Sequence, residues 1–110
     1  IISSGENIYP TQVEEVLNMN PKVKDCIVTA VPDRVRGQLV TAYVIKGDDS
    51  LTVEELDAFC KESPFIANFK RPRYYRFVEV IPLNATGKKL HYRIKQTAAQ
   101  DLEEGLLTKI

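Results

Sequence analysis

Nine consecutive residues, Pro82-Leu83-Asn84-Ala85-Thr86-Gly87-Lys88-Lys89-Leu90, carry the side chain best suited to chemistry in this chain. Strand-like residues, Tyr74 to Ile81, lead into them, and helical character begins at about Leu90. Thr86-Gly87 supplies a turn that needs no Cβ, so the backbone can bend tightly or approach a ligand there. Lys88 then stands at the tip as a compact, mobile point charge, suited to anionic oxygens rather than to forked recognition. Most Gly-Lys pairs are ordinary turns with a solvated lysine, so this pair alone decides nothing. Other chemistries find no residues. There is no Ser-His-Asp set and no CxxC motif, and the single His91 has no second histidine for a dyad. No metal site is expected. The glycines form no phosphate loop, so these residues are not expected to bind ATP unaided.

Two further segments change the weight of that turn. The chain opens Ile1-Ile2-Ser3-Ser4-Gly5-Glu6-Asn7-Ile8-Tyr9-Pro10, followed by Val13-Glu14-Glu15-Val16-Leu17. A third run is Phe69-Lys70-Arg71-Pro72-Arg73. Together they resemble the C-terminal domain of adenylate-forming acyl- and aryl-CoA synthetases, with the third run closest to the chlorobenzoate type. The family's lysine motif is a proline, four variable residues, Gly-Lys, then an apolar residue two places on. Pro82, Gly87, Lys88 and Leu90 match it, and the resemblance extends from Ile1 to about Lys95. Peptide-synthetase adenylation domains are the nearest relatives, but they usually carry arginine in place of Asn7. At His91, too, the family commonly has arginine.

The resemblance implies a two-step reaction. A carboxylate attacks the α-phosphate of ATP to give an acyl-adenylate, and the thiol of coenzyme A then displaces AMP to give a thioester. It implies that residues 1–110 form one mobile C-terminal domain. A larger N-terminal domain, absent here, would hold ATP, Mg²⁺ and a carboxylic acid, aromatic acids included. The isolated fragment is accordingly expected to be inactive. By position, Lys88 becomes the adenylation residue, offsetting repulsion between carboxylate and phosphate. Gly5, Glu6 and Asn7 match the hairpin that enters the site for thioester formation, where a missing side chain leaves room for pantetheine. A plain hairpin turn is the competing account of Gly5. Phe69 would stack on adenine while Lys70 and Arg71 meet nucleotide phosphates; a core phenylalanine beside surface cations is the alternative. Lys89, equally charged but off the motif position, is expected to matter little.

Bulk properties agree with a single domain. At 110 residues, with 44% hydrophobic and 27% charged residues, the chain can bury a modest core. No apolar run approaches the ~20 residues that span a bilayer. Cys26 and Cys60 read as buried free thiols in a reducing, cytoplasmic setting, and nothing supports a disulfide between them. Zero net charge conceals an asymmetry. Residues 1–60 carry five Lys/Arg against ten Asp/Glu, residues 61–95 nine against two, and residues 96–110 one against three. The basic stretch holds both the Phe69–Arg73 run and Lys88, which favours a polyanionic ligand. A rival from another class is a basic binding module for nucleic acid or protein, although no nucleic-acid signature is present and no nucleic-acid partner is expected.

The positioning elements follow from pattern. Thr11-Gln-Val-Glu14 and Thr52-Val-Glu-Glu55 read as capping boxes, with Leu51 and Leu56 as a staple on the second. Helices are expected to bury Val13, Val16 and Leu17, then Leu56, Phe59 and Cys60, then Leu90, Ile94, Ala98 and Leu102. Strands are expected over Val23–Val31, Leu39–Ile45 and Arg73–Ile81, and Ile1–Ile8 as a small hairpin. The expected class is α+β: a small mixed sheet flanked by about three helices, with a short N-terminal hairpin.

Overall fold

Two long strands organise the fold because their side chains are buried on both faces. A computed structural model describes all residues 1–110, and in it β3 (Val23–Asp33) and β4 (Gly37–Lys46) pair antiparallel. Their residues sort by the twofold alternation of strands. Cys26, Val28, Val40, Ala42 and Val44 enter one core with α1 (Pro10–Asn18) and α2 (Val53–Glu62). Ile27, Val31, Leu39 and Tyr43 enter a second core with Ile94 and Ala98 of α3 (His91–Glu103). α1 and α2 therefore cover one face and α3 the other.

β4 also pairs in parallel with β5 (Tyr74–Phe77), and β5 with β6 (Thr108–Lys109) antiparallel, giving the order β3-β4-β5-β6. β1 (Ile2–Ser3) and β2 (Glu6–Asn7) form the separate hairpin. The expected α+β class and mixed sheet stand. Strand β5 is shorter than the apolar run suggests. The last ladder pair is Val44 with Phe77, although β4 runs on to Lys46 against β3, and Val80 is left exposed. Across the second core, Tyr43 Oη donates to Asp101 Oδ2 at 2.7 Å, and Arg76 Nη1 reaches the same oxygen at 2.7 Å. These two bonds pin the end of α3 to the sheet.

The capping expectations need correction. α1 starts at Pro10 with Tyr9 as N-cap and no side-chain cap bond, because proline presets the first helical turn upstream of Thr11. Glu14 is released from capping and turns inward. At α2, Thr52 does cap, accepting from the Glu55 N–H at 3.1 Å, but the Glu55 carboxylate goes to Lys22 at 3.0 Å. Leu51 and Leu56 are both buried, as a staple requires. On the apolar stripes, Phe59, Leu90 and Leu102 are only half-buried.

Both cysteines are free and fully buried. Burial pushes the Cys26 thiol from 9.0 up to about 12 and raises Cys60 as well. Unfolding lets Cys26 ionise near 9.0, so its contribution to stability is complete below pH 9 and lost as pH rises towards 12. Thiol titration with a disulfide reagent at pH 8 is expected to find neither cysteine until denaturant is added. Rapid labelling of the native chain would refute this.

Candidate functional site

Lys88 rides on a loop that Asn84 builds. The Asn84 side-chain oxygen accepts from Thr86 N–H at 3.0 Å, Thr86 Oγ1 at 2.8 Å and Lys88 N–H at 2.9 Å. The Asn84 N–H donates to the Lys88 carbonyl at 2.8 Å, and Gly87 N–H to the Asn84 carbonyl at 3.0 Å. Gly87 has φ +82 with no atom near its missing Cβ, so the turn needs glycine for its backbone angle, not for space. The base closes through the Leu83–Lys89 bridge and the Leu90 N–H to Pro82 carbonyl bond at 3.0 Å. The result is a fixed backbone and an exposed Lys88 ammonium with no ion-pair partner. Asn84 was the residue missed in the sequence, although an Asn two before a Thr in a turn is the signature of an Asx turn. If Lys88 has the adenylation role that the resemblance implies, Asn84→Ala is expected to slow adenylation by about tenfold through loss of this positioning, whereas Asn84→Asp, which keeps the acceptor, should stay close to wild type. An ATP–pyrophosphate exchange assay on the parent enzyme reads the difference.

Lys89 is corrected. It is no free neighbour: its Nζ lies 3.1 Å from Asp25 Oδ1 and 3.8 Å from Glu14 Oε1, with the side chain 22% exposed. Glu14 itself is buried. Its Oε2 accepts from Val28 N–H at 2.8 Å and meets His91 Nε2 at 2.7 Å. A signal existed for this inward turn, because Glu14 stands three residues before the core residue Leu17 on the same side of α1.

The opening hairpin turns through Ser4 (φ 51) and Gly5 (φ 80), positive at both central positions as a two-residue type I′ turn requires. It is tied down by Ser4 N–H to the Arg36 carbonyl and Ile2 N–H to Gln38 Oε1, each at 2.8 Å. Gly5, Glu6 and Asn7 are all exposed, and nothing in the chain approaches Gly5. The base of this hairpin and the start of α3 share a cavity of about 400 Å³, lined among others by Ile1, Gln38, His91 and Tyr92.

Phe69 and Lys70 lie on a short 3-10 turn, Asn68–Lys70. Phe69 is 50% exposed, which rules out a core role and leaves a ring face available for stacking. Lys70 Nζ sits 5.7 Å from that ring and 3.3 Å from Gln12 Oε1. Arg71 is committed: its Nε pairs with Asp57 Oδ1 at 2.9 Å, and Lys61 holds the other oxygen at 3.2 Å. Arg73 carries a buried Nε without a partner, and its pKa is lowered by burial and by nearby Arg71 and Arg36.

Folding thus thins out the basic stretch. Of its nine cations, Lys61, Arg71, Arg76 and Lys89 pair with acids drawn from the rest of the chain. Lys70, Arg73, Lys88, Arg93 and Lys95 form no ion pair. The three segments do share one support. α1 continues from the hairpin, holds Lys70 through Gln12, and holds Lys89 and His91 through Glu14.

Comparison with known proteins meets this geometry at the same residues: positions 12–88 match the AMP-binding enzyme C-terminal domain. The chain belongs to that family. It is 43% identical over 97 residues to the 4-chlorobenzoate–CoA ligase of Pseudomonas sp. (strain CBS-3), covering 87% of this chain and 18% of that one. It is 39% identical over 103 residues to the mitochondrial medium-chain acyl-CoA ligase of Danio rerio, covering 93% and 17%. Among solved structures it superimposes on o-succinylbenzoate CoA synthetase of Bacillus subtilis in complex with an acyl-adenylate intermediate. The TM-score is 0.79 at 35% identity, covering 86% of this chain and 19% of that one. The chain therefore spans less than a fifth of each relative's length. As an AMP-binding enzyme C-terminal domain it gives no support to the rival reading as a basic module for nucleic acid or protein. No helix is long and apolar enough to cross a membrane, and no group of three or more His, Cys, Asp or Glu is placed to hold a metal ion.

Proposed function

We propose that this chain is the mobile C-terminal domain of an ATP-dependent carboxylate–CoA ligase, working against its own larger N-terminal domain. One observation carries the reading: in a domain of this family, Lys88 is exposed and unpaired on a loop whose backbone is fixed by Asn84. A cation held out on a rigid support suits charge that develops between a carboxylate and the α-phosphate of ATP. On the other presented segment, Gly5, Glu6 and Asn7 form the exposed tip proposed to border the pantetheine arm. Phe69 and Lys70 are proposed to meet the CoA nucleotide, its adenine on the exposed ring. Arg71 joins them chiefly as a brace, since Asp57 engages its Nε. Relatives named for 4-chlorobenzoate and medium-chain acids support a carboxylic acid substrate, aromatic or aliphatic. ATP, Mg²⁺ and the acid are assigned to the N-terminal domain. Two free thiols suit a reducing compartment such as the cytoplasm. The test is ATP–pyrophosphate exchange dependent on a carboxylic acid, measured on the full-length enzyme. Binding of polynucleotide by a full-length chain without exchange activity would overturn the reading.

A further inference from the structure

The leg that leaves the Lys88 loop is held from outside by two carboxylates, buried Glu14 and half-exposed Asp25. Glu14 lies on α1 and is 5% exposed. Its Oε2 already accepts from the Val28 N–H of β3 at 2.8 Å, and the same oxygen meets His91 Nε2, on the first residue of α3, at 2.7 Å. A carboxylate oxygen only accepts, so the proton of this contact belongs to His91 Nε2. Its Oε1 faces Lys89 Nζ at 3.8 Å, and Lys89 also reaches Asp25 of β3 at 3.1 Å.

Lys89 and His91 are the first and third residues after Lys88. Fixing them fixes the outgoing leg of the loop, and that leg pairs back on the incoming one through Leu83–Lys89 and Leu90–Pro82. The Lys88 side chain has no contact of its own to set its direction, so its aim is inherited from this leg. A buried carboxylate that accepts from Val28 N–H, meets His91 Nε2 and faces Lys89 Nζ costs desolvation, and an apolar residue in its place would leave the buried Val28 N–H without this acceptor. Glu14 therefore serves both the β3 backbone and the two side chains that follow Lys88.

We propose that Glu14 is a positioning residue for the adenylation step, acting on Lys88 through Lys89 and His91. This rests on the reading of Lys88 given above. It predicts selectivity between half-reactions, because the Gly5–Asn7 hairpin is anchored separately on Arg36 and Gln38.

The test uses the full-length enzyme and the substitutions Glu14→Gln and Lys88→Ala. Adenylation is followed by ATP–pyrophosphate exchange with 4-chlorobenzoate, octanoate or 2-succinylbenzoate as probe acid, and thioester formation by release of AMP from supplied acyl-adenylate and CoA. Glu14→Gln keeps an acceptor for Val28 and nearly the same volume. It is expected to slow adenylation by about tenfold while thioester formation stays within about twofold. A second readout needs no substrate: trypsin should cut the Lys88–Lys89 bond several-fold faster in Glu14→Gln, at temperatures where both proteins are folded. Equal loss in both half-reactions would show a merely structural role and overturn the proposal, as would an unchanged cutting rate. Should Glu14→Gln fold poorly, His91→Gln, at a side chain 36% exposed, carries the same expectation at smaller size. Normal adenylation in Lys88→Ala would sink the Lys88 reading itself. Normal adenylation in Glu14→Gln beside a crippled Lys88→Ala sinks the positioning role alone.

Discussion

Replacing Lys88 with alanine is expected to slow acyl-adenylate formation by roughly 10²–10³-fold, the scale for losing one preorganised electrostatic donor. Stability should barely change. The side chain is exposed and unpaired, and the bonds that shape and brace its loop are made by Asn84, Thr86, Lys89, His91 and backbone groups, none by the Lys88 side chain. Thioester formation from supplied acyl-adenylate should survive. Gly5→Leu should show the reverse pattern, by placing bulk where pantetheine is proposed to pass. Gly5 also has φ +80, and a left-handed residue with a Cβ costs about 1–2 kcal/mol. Gly5→Asn controls for this, since asparagine tolerates that angle with less bulk. Lys89 is unsuitable as the charge control because it is tied to Asp25 and Glu14; exposed Lys24, which forms no ion pair, serves instead. Half-reaction assays on the full-length enzyme decide the matter. Equal impairment of one and the same step by Lys88→Ala and Gly5→Leu would end the two-segment account.

Arg71→Ala is expected to lower folding stability by about 2–3 kcal/mol, with a matching shift in the urea midpoint. The pair it forms with Asp57 has side-chain exposures of only 13% and 10%, so removing the arginine strands a nearly buried carboxylate. Breaking such a pair costs about 3–5 kcal/mol; here Lys61 remains at 3.2 Å and softens the loss. This stability effect would mask a weakened CoA contact. Phe69→Ala gives the cleaner test of nucleotide binding. With half its surface already in water, Phe69 can be removed at small cost to the fold, so a raised KM for CoA would report contact with the nucleotide. An Arg71→Ala enzyme as stable as wild type would contradict the bracing role.

Much of this was legible from local pattern. Strands β3 and β4 were readable because β-branched runs ended at polar turns, and α3 because Ile94 and Ala98 recur at helical spacing. The turn that exposes Lys88 was readable because Thr86-Gly87 carries turn chemistry. The features that local pattern does not carry depend on distant partners. Whether Lys89 or Lys88 is the free cation is settled by Asp25 and Glu14, some sixty and seventy positions away. Arg71 is claimed by Asp57 on a helix that precedes it. β5 stops at Phe77 although β4 continues to Lys46, and β6 is two residues long, too short for any periodicity to register. α1 begins one residue before the Thr11 capping pattern because Pro10 offers an earlier start.

The sharing of α1 by three segments has a kinematic consequence. The hairpin runs directly into it, Gln12 contacts Lys70 of the Phe69 turn, and Glu14 contacts His91 beyond the Lys88 loop, so under the proposed rotation all three would turn together. The molecule is 34 Å across, which sets the lever arm at half that width, about 17 Å. A rigid-body turn would carry every segment on that arm through the same angle at once. Under the proposed rotation, delivering one segment to the reaction centre therefore withdraws the other by the same motion. Mutual exclusion of the two half-reactions would need no latch or signal, because the rigidity of a nine-residue helix enforces the order.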